Sequence, residues 1–161
     1  MRVYFAYGSN MVPAQMRARC PAARIVATAV LCDHRFAIIR GGHGRVLRQP
    51  SARVHGVLWR LGRGEEAVLD RYEEVEAGLY RRARLAVECG GRPVAALVYV
   101  AAAIKPGRAR AAYLAAIIAS ARAFAFPPDY VAALEAIART SSGVRPASRS
   151  ARSVSERSRL A

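Results

Sequence analysis

Two short stretches of this chain carry residue types and an order suited to chemistry. Tyr7-Gly8-Ser9-Asn10 follows the apolar run 3–7 and precedes a helical pattern over 11–19. At such a junction Gly8 lets the backbone turn and approach a ligand closely. The main-chain N–H groups that follow stand at a helix start, where a carboxylate or phosphate is favoured without a charged side chain. A plain strand-to-helix turn, with Ser9 or Asn10 as N-cap, is the competing reading. Ser9 is not a nucleophile elbow, because Tyr7 stands where that motif has glycine.

The second stretch is acidic. The chain is strongly basic, with a formal net charge of +15 and 11 acidic residues. Six of those acids lie between Glu65 and Glu76. Ala67, Val68, Tyr72 and Val75 recur at helical spacing, which predicts a helix over 65–75 with Asp70, Glu73 and Glu74 on neighbouring faces. Arg71 and Glu74 are spaced to pair on it. A solvated acidic face is the plain reading. Glu73, however, is followed by a helix end and a strand bearing Tyr80, which puts it near a sheet rim. A carboxylate there suits general acid or base work.

Other candidates carry less. Gly41-Gly42-His43-Gly44 lacks the lysine and hydroxyl residue of a phosphate loop and reads as a hairpin loop. His34, His43 and His55 have no metal-ligand spacing, and no cofactor or metal is expected. Cys20, Cys32 and Cys89 form no C-x-x-C unit; an odd count without a secretory leader fits reduced thiols in a cytoplasm. Arginines interrupt the alanine-rich stretch, so no membrane span is expected. All the basic residues but Lys105 are arginine, a bias that reads first as coding composition. The arginines raise nucleic acid as a partner, but no nucleic-acid module pattern supports it.

The elements that must position the two stretches are short. Strands are predicted over 3–7, within 27–39, and over 54–61, 79–88 and 94–101, with Gly90-Gly91 as a tight hairpin. On the 54–61 strand, Val54, Gly56, Leu58 and Arg60 share a face. Helices are predicted over 109–124, on which Tyr113 reads as core, and after Pro127-Pro128, with Tyr130, Leu134 and Ile137 on one face. Many short strands with few covering helices imply a mixed α/β (α+β) domain on a curled or closed sheet. One domain is expected over 1–138, and 139–161, rich in arginine and serine, reads as a disordered tail.

Together these pieces resemble the γ-glutamylcyclotransferase-like, or AIG2-like, family. The resemblance rests on the run 3–11, on Pro50 with the run 54–59, on Leu69-Asp70-x-x-Glu73-x-Val75-x-x-Gly78-Leu79-Tyr80, and on Pro128 with the run 130–137. It implies a small fold round a barrel-like sheet, with a pocket between the 7–10 turn and Glu73. It also implies release of 5-oxoproline from a small-molecule γ-glutamyl peptide or amine, the α-amine attacking its own γ-carbonyl. By motif position Glu73 is the catalytic acid/base. Gly8, Ser9 and Asn10 would hold the α-carboxylate, and Tyr7 or Tyr80 would line the pocket and bond the substrate. A half-buried Glu73 beside Leu79 would have a raised pKa. Many members carry glycine after the glutamate, where this chain has Glu74. A second carboxylate there would raise Glu73 further or simply face solvent. A non-catalytic carboxylate-binding module of the same fold, and a basic binder of nucleic acid or acidic partners, are the alternatives. Neither the leaving amine nor the oligomeric state is encoded in these motifs.

Overall fold

The four residues of β1 (Val3–Ala6) are all buried, as a strand covered on both faces must be. This computed structural model describes residues 2–102 and 105–141. A 3-10 turn (Ser9–Met11) follows, then α1 (Pro13–Arg19), with proline in its first turn. Two long strands come next, β2 (Arg24–Ile38) and β3 (Gly44–Arg60), and then the short α2 (Glu65–Tyr72). The hairpin β4 (Tyr80–Cys89) and β5 (Arg92–Ala101) precedes α3 (Ala111–Ala123) and α4 (Pro128–Ser141).

The strands close into a barrel in the order β1-β3-β2-β4-β5. β1 pairs antiparallel with β3 and parallel with β5, so the first strand joins the two ends of the sheet. Closure removes the unpaired edges a five-stranded sheet would expose. Gly90 and Gly91 both have positive φ and Cys89 pairs with Arg92, so the two-residue hairpin forms as predicted.

The expected mixed α/β class with a closed sheet is what the structure shows, but several element bounds differ. β3 starts ten residues before the predicted strand, and β2 starts earlier than expected too. Residues 48–51 of β3 are exposed, so hydrophobic alternation does not mark them; Arg48 pairs with His34 of β2, and the register then shifts before Arg53 pairs with Cys32. Val57 and Trp59 are buried along with Val54, Gly56 and Leu58, while Arg60 is exposed, so this stretch is covered on both faces and the face that Arg60 is expected to share with Val54, Gly56 and Leu58 is not uniformly buried. α2 ends at Tyr72 and not at Val75, and Glu74 leaves the helix; no Arg71–Glu74 ion pair occurs among the described residues. α4 continues through Ser141, and the rest of the 139–161 segment lies outside the described residues.

Candidate active site

The 7–10 turn is shaped by a close approach. A Cβ on Gly8 would stand 2.9 Å from the Tyr113 hydroxyl, so only glycine fits without a shift. Met11 N–H bonds to Gly8 O and Val12 N–H to Ser9 O, which leaves the Ser9 and Asn10 amides at the open end of the 3-10 turn. No side chain caps this turn or α1, so the N-cap reading of Ser9 and Asn10 does not hold. Their side chains are drawn elsewhere. Asn10, 2% exposed, accepts from Arg19 on Oδ1 and donates from Nδ2 to Tyr4 Oη at 2.9 Å and to Glu73 Oε1 at 3.0 Å.

Glu73 is the C-cap of α2, and the way that helix stops places it. Glu74 takes φ +51 in the left-handed region. Val75 N–H reaches back to Asp70 O and Glu74 N–H to Arg71 O, the two bonds of a Schellman end. That conformation favours glycine at position 74, where this chain has Glu74. α2 has only eight residues and depends on tertiary anchors. Tyr99 Oη donates to Asp70 at 2.8 Å, and Arg82 pairs with both Asp70 and Glu66.

The two stretches meet across a cavity of about 180 Å3. Tyr7, Gly8, Ser9, Asn10, Glu73 and Tyr80, the residues singled out from sequence, all line it. Glu73 is half-buried, and burial raises its carboxyl to about 7, against the opposing pull of the Arg19 charge and the Asn10 hydrogen bond. Glu74 is exposed at the cavity wall and is not among the groups that move Glu73.

The tyrosines divide by what their protons do. Tyr7 Oη donates to Tyr99 O at 2.6 Å, and Tyr80 Oη donates to Gly44 O at 2.6 Å. Both protons are therefore committed to main-chain carbonyls, and these rings serve as walls and acceptors. Tyr113 Oη instead accepts from Gly44 N–H at 2.8 Å, which leaves its own proton to give. Sequence reasoning missed Tyr113, along with Tyr4, Tyr99 and His43 in the same wall. Helical spacing placed Tyr113 with the core residues of α3, and no local pattern could reveal the glycine pair at Gly8 and Gly44 that makes room for its hydroxyl.

Among the described residues no three His, Cys, Asp or Glu side chains come together as metal ligands. No described helix is long and apolar enough to cross a membrane.

The AIG2-like family model matches residues 53–134, half of the chain and the half that holds Glu73. The chain belongs to the AIG2-like family. Relatives of this AIG2-like chain include a mouse γ-glutamylcyclotransferase, 26% identical over 146 residues that cover 84% of this chain and 78% of the mouse protein. A bovine γ-glutamylcyclotransferase is 30% identical over 88 residues, about half of either chain (48% and 47%). A solved γ-glutamyl cyclotransferase structure superposes with a TM-score of 0.79 at 23% identity, covering 84% of this chain and 86% of that one, so the fold is shared.

Proposed function

We propose that this AIG2-like protein is a γ-glutamylcyclotransferase-type enzyme that releases 5-oxoproline from a γ-glutamyl peptide or amine. The observation that supports this most is the half-buried Glu73, poised near neutrality, facing the 7–10 turn across one cavity. Nucleophile and electrophile lie in the same substrate, so the chemistry asks for a folded substrate and a proton carrier. Orientation in such ring closures is worth up to roughly 7–11 kcal/mol.

In this reading the α-carboxylate sits on the main-chain amides of Gly8, Ser9 and Asn10. Ionised Glu73 takes a proton from the α-ammonium group. The freed amine attacks the γ-carbonyl and forms the ring C–N bond. As the original amide C–N bond breaks, Glu73 returns that proton to the departing amine, and the surplus proton of the ring nitrogen follows through the freed carboxylate, so the amine leaves as an ammonium and the lactam nitrogen keeps one hydrogen. A carboxyl near 7 is suited to both transfers at neutral pH. Tyr7 and Tyr80 form the walls, and Tyr113, whose hydroxyl accepts from Gly44 and keeps its proton as Tyr4's does beside Asn10, offers a proton to the carbonyl oxygen.

The test is 5-oxoproline release, followed by mass spectrometry, from a panel of γ-glutamyl amino acids and γ-glutamyl amines. Wild type should turn over at least one of them, and Glu73→Gln should not. Folded protein that releases nothing from any of them, yet is thermally stabilised by 5-oxoproline, would make it a binding module instead.

A further inference from the structure

Arg19, the last residue of α1, is not part of the cavity wall, yet it touches both halves of the site. One guanidinium nitrogen donates to Asn10 Oδ1 and reaches Ser9 Oγ at 3.3 Å. The other donates to Gln15 Oε1 at 3.0 Å and to Tyr72 Oη at 2.6 Å. The guanidinium carbon lies 3.6 Å from the centre of the Tyr72 ring. Ser9 and Asn10 belong to the turn, and Tyr72 immediately precedes Glu73.

A guanidinium has donors only. The Asn10 atom that meets it must therefore be the carbonyl oxygen. This forces Nδ2 to the opposite side, where its two protons go to Tyr4 Oη and Glu73 Oε1. A flipped amide would set donor against donor at Arg19 and oxygen against oxygen at Glu73. With the amide fixed, Oε1 of Glu73 is held, and Oε2 takes no hydrogen bond from the described residues.

We propose that Arg19 is a positioning residue: it fixes the Asn10 amide and the end of α2 so that Glu73 is held by one oxygen and presents the other to the cavity. Its effect on turnover rests on the reaction proposed above; its effect on Glu73 itself does not. The guanidinium charge and the Asn10 N–H both favour ionised Glu73. Without Arg19 the carboxyl should titrate higher.

The experiment is a carbon-13 NMR titration of the Glu73 carboxyl in wild type, Arg19→Met, Arg19→Gln and Arg19→Lys, paired with pH profiles of 5-oxoproline release. In Arg19→Met and Arg19→Gln the Glu73 midpoint should move up by about one unit. The acid limb of the activity profile should move with it, and kcat should fall about tenfold with KM less changed. Arg19→Lys keeps the charge and should return the midpoint towards wild type. Folded Arg19→Met or Arg19→Gln with an unmoved Glu73 midpoint overturns the proposal. If one of these two does not fold, the other decides. If wild type releases no 5-oxoproline, the reaction reading fails, while the titration still decides the role of Arg19.

Discussion

The two ends of α2 each carry a carboxylate at least half withdrawn from water, and the two are bonded in opposite ways. At the N-terminal end Glu65 is 6% exposed, and both of its oxygens are taken by main-chain N–H groups, of Ala22 and Gly62, each at 2.7 Å. It staples the loop after α1 to the loop after β3. At the C-terminal end Glu73, which lines the cavity, has among the described residues one donor, Asn10, and its second oxygen takes no hydrogen bond from them. Burial alone does not make a carboxyl group reactive. The number of fixed donors facing its ionised form decides whether it is a strut or a proton carrier.

The sharpest way to break this contrast is Glu73→Gln. The amide keeps an oxygen for Asn10 and, on the proposed mechanism, removes the proton carrier. Turnover should fall about 10²–10⁴-fold, with binding of 5-oxoproline retained by calorimetry. Glu65→Ala should act the other way. It strands two main-chain donors and should cost about 3 kcal/mol in urea denaturation, with residual turnover tracking the folded fraction. Turnover lost from a fully folded Glu65 variant would erase the distinction.

A pH series separates the ends further. The folded Glu73 carboxyl is raised, so its stabilising contribution is complete below about 4.5 and is lost as pH climbs to about 7. Glu73→Gln should therefore gain on wild type in thermal melts across that window, by up to about 3 kcal/mol, while wild-type activity rises across pH 7 as the base form appears. A difference that shrinks with pH would contradict a raised carboxyl. The smallest effect is expected next door. Glu74→Gly relieves a left-handed non-glycine residue and should stabilise by about 1 kcal/mol, leaving the Glu73 midpoint in place by NMR.

Much of the site was legible along the chain because it is made of contiguous pieces. The 7–10 turn and Glu73 each sit in a short run whose order of glycine, polar and apolar residues is distinctive. The hairpin at Gly90-Gly91 was equally local. The bent length of β2 and β3 was not, because exposed residues such as Arg48 carry no alternation. The end of α2 was misjudged by three residues because Val75 continues the apolar spacing, whereas the chain turns at Glu74.

Residue type and order were enough to determine a mixed α/β class and to single out the two candidate stretches, with Glu73 inside the second. Which hydroxyls keep a proton to give, which carboxylate is saturated and which arginine orients the amide were decided only when the chain closed into a barrel. Tyr113 lies 69 residues from Gly44, Asn10 lies 63 from Glu73, and Glu65 lies 43 from Ala22. Hydrogen-bond satisfaction across such separations has no periodicity to read. It depends on distances of a few ångströms that local sequence does not encode.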